Sequence, residues 1–286
     1  MRKGIIQMSN EKPTQRPVQI VSLSYDDVGN GSDVLVLVHG HPFNRTMWRS
    51  QLDAAVRVGW RAIAPDLRGY GRSPVTPGKV TLDIFAQDIA ALLDELHVER
   101  IVLCGLSMGG HVVMEFCRRF PERIRGVLLT ATSPRAETDE GKRNRNLVAD
   151  RLQAEGMQIY AQELLPKMLA AQTIEKRPEI AKALLRMMRQ APASGSAAAL
   201  RGRAERPGYE STLASLGAPA LIVVGDQDAF TTRSDADEMH RLLARSKLVW
   251  MEGVGHMPNL ENEEAFNVEL TEFLTVLRRD RVEVAA

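Results

Sequence analysis

The segment Ile101-Val102-Leu103-Cys104-Gly105-Leu106-Ser107-Met108-Gly109-Gly110 joins an apolar, β-branched run to a helix-compatible stretch over 111–120. The joint carries the spacing G-x-S-x-G. Between a strand and a helix, that spacing predicts a nucleophile elbow: a strained turn that exposes the Ser107 hydroxyl at the strand's C-terminal end. Gly105 and Gly109 let strand and helix approach closely, and Gly110 adds room. The N-terminus of the following helix favours negative charge developing beside the hydroxyl.

Similar runs recur on both sides. Val34-Leu35-Val36-Leu37-Val38 is five apolar residues in succession, the pattern of a strand buried on both faces. Residues 61–65, 126–130, 220–224 and 246–252 read as further strands, and 81–96 as an amphipathic helix with a threonine cap. This alternation predicts an α/β fold, a mostly parallel sheet flanked by helices on both faces. The pattern breaks between about Ser133 and Leu216, where helix formers are interrupted by Pro166, Pro178, Pro192 and Pro207 and no strand-like run occurs. The expected organisation is a flexible lead-in over 1–17, a core over 18–132 and 217–280, and a helical cap inserted at 133–216. Such an insertion belongs over the edge of the sheet where ligands bind.

The 286 residues are 44% hydrophobic and 26% charged, with a net charge of +1. That balance suits a globular α/β domain and gives no electrostatic reason to expect nucleic acid or an acidic membrane as partner. The short apolar stretch Gly4-Ile5-Ile6 is no signal peptide, and no run reaches the length of a membrane span. Cys104 and Cys117 are too few for a disulfide scaffold and fall in apolar patterns. Both are expected as core thiols, in keeping with a reducing cytoplasm.

A serine hydroxyl attacks when a base removes its proton and a carboxylate orients that base. The strand at 220–224 runs into Gly225-Asp226-Gln227-Asp228, and the one at 246–252 into Gly253-Val254-Gly255-His256-Met257-Pro258. A parallel sheet therefore collects Ser107, an aspartate and His256 at one edge, in the order Ser, Asp, His. The glycines beside His256 suggest a mobile turn. An oxyanion at Ser107 needs two backbone N–H donors. Met108 follows the serine and supplies one; His41, in the loop His39-Gly40-His41-Pro42-Phe43, supplies the other. His39 and His41 also spell H-x-H, but no further ligand stands at suitable spacing, so no metal is expected. His97, His111 and His240 have no partners in sequence and are expected on helix surfaces or in packing.

Five segments in order resemble the α/β-hydrolase superfamily over roughly residues 20–276. They are His39-Gly40-His41-Pro42, Pro65-Asp66-Leu67-Arg68-Gly69-Tyr70-Gly71-Arg72-Ser73, Gly105-Leu106-Ser107-Met108-Gly109-Gly110, Gly225-Asp226-Gln227-Asp228 and Gly255-His256. Within the superfamily they look like the compact carboxylesterases, cofactor-free haloperoxidases and 3-oxoadipate enol-lactonases. The resemblance implies an eight-stranded, mostly parallel sheet with a helical cap, and no cofactor. It implies a triad of Ser107, Asp228 and His256, with the second aspartate of G-D-x-D as the acid, and the oxyanion hole at His41 and Met108. Asp66 and Arg68 match the D-x-R-G-x-G-x-S loop, which braces the floor of the site in relatives. His41 departs from the apolar or aromatic residue common at its position, and the cap matches no motif.

The expected activity is hydrolysis of a small or medium carboxylic ester or lactone through an acyl-enzyme. The same triad also serves C–C, thioester or amide hydrolysis and perhydrolysis. A non-catalytic ligand-binding member of the fold is a third class, disfavoured by a complete triad. The expected partner is the small-molecule substrate, and homo-oligomerisation stays open.

Overall fold

The structure is a computed structural model that describes residues 19–285, with side chains described as far as Arg279. The lead-in expected over 1–17 lies outside the described residues. The strands are β1 (Tyr25–Val28), β2 (Val34–Val38), β3 (Arg61–Pro65), β4 (Ile101–Leu106), β5 (Ile124–Thr130), β6 (Ala220–Gly225) and β7 (Ser246–Met251). They form one sheet in the order β1-β3-β2-β4-β5-β6-β7, parallel except where β1 pairs with β3. The resemblance implied eight strands, and the described residues contain seven. Just before β1, Val21 N–H donates to Asp88 (3.3 Å) and Ser24 N–H to Ser73 (2.9 Å), while Ser24 O accepts from Asp66 N–H (2.7 Å).

Helices α1 (Arg49–Arg57), α2 (Leu82–Glu95) and α3 (Met108–Arg119) connect the first five strands. After β5 come α4 (Asp139–Glu155), α5 (Gln158–Met168), α6 (Ala171–Lys176), α7 (Pro178–Gln190), α8 (Ala193–Arg203) and α9 (Glu210–Ser215). Helices α10 (Arg233–Leu242), α11 (Pro258–Glu261) and α12 (Glu263–Ala285) complete the chain. The period-two geometry of a strand divides β2 between two cores. Val34, Val36 and Val38 pack with Phe85, Ile89, Val112, Phe116 and Met239 from α2, α3 and α10. Leu35 and Leu37 pack with Trp48, Leu52, Phe266, Leu270 and Leu274, mainly from α1 and α12. Cys104 and Cys117 are free and buried, and burial raises both thiols.

From β2 the chain steps outward to β3, then crosses back to β4 on the other side of β2. Parallel sheets bind ligands at such a reversal, in the crevice beyond the C-terminal strand ends. The loops that leave β2 and β4 there carry His41 and Ser107. Helix α8 is pressed onto the neighbouring loops: Gly195 to Leu200 are buried, and Val80 N–H donates to Ala198 O (3.1 Å). A Cβ on Gly195 would stand 1.9 Å from Gly69 O, so the contact requires glycine. Pro166, which punctuates the sequence, lies inside α5 and does not end it. No helix among the described residues is long and apolar enough to cross a membrane.

Candidate active site

Strand β4 ends at Leu106 and α3 begins at Met108, leaving Ser107 as the joint with φ 55° and ψ −114°. A positive φ strains any residue with a Cβ and persists only where neighbours over-determine it. Here Ser107 N–H donates to Thr130 O (2.9 Å), and its carbonyl accepts from His111 N–H (3.2 Å) and Thr132 Oγ1 (3.0 Å). The two motif glycines have steric reasons. A Cβ on Gly105 would lie 2.4 Å from Gly109 O, and one on Gly109 would lie 2.2 Å from Val38 O.

Asp228 follows β6 with its side chain fully buried, and its carboxylate oxygens lie 2.8 and 2.9 Å from His256 Nδ1. Oδ1 also accepts from the N–H groups of Phe230 (2.8 Å) and Thr231 (3.1 Å). Burial alone would raise this carboxyl. The facing imidazole, its hydrogen bond and the two amides outweigh burial and hold the carboxyl below its ordinary value. An ionised Asp228 fixes the tautomer with the proton on Nδ1, which leaves the Nε2 lone pair available. His256 is buried against the edge of Phe230, with ring centroids 4.9 Å apart. Among the described residues no hydrogen bond joins the Ser107 hydroxyl to His256. Asp226 does different work: it accepts from Gly253 N–H (2.7 Å) and Val254 N–H (3.3 Å), bracing the turn that leads to His256.

That turn is clamped, contrary to the mobility its glycines suggest. His256 N–H donates to Met168 O at the end of α5 (3.1 Å). Glu261 gathers Met257 N–H (3.1 Å), Ala170 N–H (2.8 Å) and the Thr173 hydroxyl (2.8 Å). Gly255 is there for close approach, since a Cβ would meet Ala170 N at 2.6 Å. Sequence reasoning missed Glu261 because Thr173 and Ala170 stand 88 and 91 residues away. No local signal marks such a residue.

Among the described residues, neither His41 N–H nor Met108 N–H has an acceptor. The loop beneath them is braced by Asp66, which accepts from Arg45 N–H and Arg72 N–H (both 2.8 Å) and pairs with the Arg45 guanidinium. Arg68 forks onto buried Asp88 at 2.7 and 2.6 Å. His39 Nδ1–H donates to Gly40 O (2.8 Å) while Nε2 accepts from Leu67 N–H (2.9 Å). His41 Nδ1 lies 2.7 Å from the Tyr70 hydroxyl and Nε2 lies 3.1 Å from the Tyr160 hydroxyl on α5. All four ring nitrogens of the H-x-H pair are thus engaged within the protein. Among the described residues no group of three or more His, Cys, Asp or Glu is placed to hold a metal ion.

Burial lowers His39, His41 and His111 below the ordinary histidine value. Arg203 and Arg145 add to the effect at His41, and Arg206 leads the charges acting on His111, whose Nε2 lies 2.7 Å from Arg206 Nη1. With their proton affinity lowered in the fold, the three rings protonate more readily in the unfolded chain, whose histidines titrate at about pH 6.5. Stability contributed this way is complete above that pH and falls as pH drops below it, until each ring protonates in the fold as well. Thermal unfolding from pH 7.5 to 5 should therefore show a falling midpoint. His111→Gln should flatten the decline; an unchanged slope would show that His111 titrates alike in both states.

Residues 35–269 match the model of the Alpha/beta hydrolase family. The chain is 29% identical over 250 residues to 3-oxoadipate enol-lactonase 2 of Acinetobacter baylyi, covering 87% of this chain and 91% of that protein. Its fold superposes on the malate-bound thermophilic esterase from Thermogutta terrifontis with a TM-score of 0.87 and 37% identity, covering 89% of this chain and 93% of that one. It also superposes on the enol-lactonase from Burkholderia xenovorans LB400 with a TM-score of 0.82 and 26% identity, covering 88% and 96%. With the family match running from β2 into α12, over the same strands that carry the crevice, the chain belongs to the α/β-hydrolase family.

Proposed function

We propose that the chain hydrolyses a small or medium carboxylic ester or lactone, with Ser107 as nucleophile, His256 as general base and Asp228 as the acid that orients it. The observation that carries this is the Asp228 carboxylate held on His256 Nδ1, at the sheet edge where Ser107 occupies its strained turn. Likeness to an esterase and to enol-lactonases supports an ester bond as the one cleaved.

In this mechanism the Ser107 oxygen attacks the carbonyl carbon as its proton passes to His256 Nε2, and Asp228 stabilises the resulting imidazolium. The carbonyl oxygen becomes an oxyanion and takes the open N–H groups of His41 and Met108, helped by the N-terminus of α3. As the C–O bond breaks, the alkoxide leaves with the proton from His256. Water then attacks the acyl-enzyme, giving its proton to the same neutral ring, and Ser107 is regenerated with release of the acid. The absence of a serine–histidine hydrogen bond fits a site that tightens when substrate binds. The helices at 133–216 act as the cap over the crevice. Tyr160 reaching His41, and Met168 holding His256, support that role. Two buried free thiols fit a cytoplasmic location.

A fluorophosphonate probe tests the proposal against a purely ligand-binding role. It should label the folded chain once, on the peptide containing Ser107, and fail to label Ser107→Ala. A folded wild-type chain that stays unlabelled would remove Ser107 as nucleophile.

A further inference from the structure

Of the two histidines in the loop after β2, the fold ties the second at both nitrogens of its ring, and the two ties come from different parts of the molecule. His41 Nδ1 lies 2.7 Å from the hydroxyl of Tyr70, in a core loop, and Nε2 lies 3.1 Å from the hydroxyl of Tyr160, on α5 of the inserted helices. The two phenol rings flank the imidazole, with centroids 6.0 and 5.9 Å from its own. Burial lowers the imidazole and raises both phenols, so all three rings are neutral at about pH 7. A neutral imidazole has one N–H and one lone pair, so one tyrosine donates to it and the other accepts from it. The result is a directed chain of hydrogen bonds from the core loop, through His41, to the inserted helices. His41 and Tyr70 are buried, so breaking a link leaves a ring nitrogen without partner or water.

What this chain holds in place is a backbone N–H. The loop lies on the elbow: a Cβ on Gly40 would stand 3.0 Å from the carbonyl oxygen of Leu106, the residue before Ser107. His41 follows Gly40, and its N–H has no acceptor among the described residues. Fixing both ring nitrogens fixes the His41 side-chain torsions, and with them the backbone that carries the N–H. The same helix also holds the base. About two turns after Tyr160 on α5, Met168 O accepts from His256 N–H (3.1 Å). Helix α5 thereby sets one oxyanion donor and the general base against each other. Such donors stabilise a transition state only when aimed at the place where the oxyanion forms, and a small displacement costs rate.

We propose that Tyr160 is a positioning residue for catalysis: its hydroxyl, acting through the His41 ring, aims the His41 N–H at the oxyanion formed on Ser107. This rests on the serine-hydrolase function proposed above and adds to it a residue outside the triad and the oxyanion hole. Because Tyr160 acts through His41, its loss weakens the hole and leaves the nucleophile and its base in place.

The test compares p-nitrophenyl butyrate with its thiono counterpart, in which C=S replaces C=O. Sulfur is a weak hydrogen-bond acceptor, so the change withdraws most of what the hole contributes. Tyr160→Phe keeps the ring and its packing. Its kcat/KM on the oxygen ester should fall about ten-fold, part of the hundred-fold or more that loss of a whole donor costs. On the thiono ester it should stay within about twofold of wild type, so the preference for oxygen over sulfur shrinks. A merely structural loss would slow both esters alike and leave that preference unchanged. Should Tyr160→Phe fail to fold, Tyr70→Phe breaks the same chain from the core side and should show the same selective loss. A wild-type oxygen preference in the folded variant overturns the proposal while leaving the serine mechanism standing. If neither ester is cleaved yet the fluorophosphonate labels Ser107, the labelling rate decides. It should fall about ten-fold in Tyr160→Phe, and an unchanged rate overturns the proposal. A folded wild type that is neither labelled nor active removes the hydrolase function, and this proposal with it.

Discussion

Ser107→Ala is expected to lower kcat/KM on the best ester by at least about three orders of magnitude, with the fold unchanged. The substitution removes the attacking atom and little else. The Ser107 hydroxyl makes no hydrogen bond among the described residues, so its loss strands no buried partner. The hydrogen bonds that hold the turn belong to the Ser107 backbone and survive in alanine. A Cβ at positive φ is already present in the serine, so alanine adds no strain. The melting temperature should therefore stay within the small range of substitutions that break no contact. Purified variant with near wild-type turnover would refute Ser107 as the nucleophile.

Asp228→Asn should lower kcat by about four orders of magnitude. The amide oxygen can still accept from Phe230 and Thr231 N–H, so the loop should hold its shape. What is lost is the negative charge that fixes the His256 tautomer and stabilises the imidazolium in the transition state. Asp226→Asn is the matched control, since Asp226 bonds only backbone amides of the adjacent turn. An asparagine oxygen can accept from both, and kcat should stay near that of wild type. If Asp226→Asn abolished turnover and Asp228→Asn did not, the two aspartates would exchange roles.

The strand β1 shows where a sequence signal runs out. Tyr25-Asp26-Asp27-Val28 carries no apolar run, since two of its four residues are aspartates. At the sheet edge those side chains meet arginines instead of a core: Asp26 lies 2.9 Å from Arg45, and Asp27 lies 2.7 Å from Arg61. The interior strands were legible because burial on both faces admits only apolar residues, which leaves an unbroken run. The resemblance implied an eighth strand, and the described residues pair into seven.

By itself the sequence determined the α/β architecture, the turn at Ser107 and the candidates Asp228 and His256. Each rests on neighbours in the chain: an apolar run, glycines whose Cβ atoms would strike backbone, and loops that follow strands. Tertiary structure alone decided how His256 is held, what the His41 side chain does and where the charge lies. Glu261 clamps the histidine turn to the inserted helices, Tyr70 and Tyr160 take both ring nitrogens of His41, and Arg203 Nε is buried with no acceptor among the described residues. These contacts join segments far apart in sequence, and their energy comes from burial, which makes a polar group costly unless a partner faces it. Residue order carries no record of which distant group becomes that partner until the helices have packed.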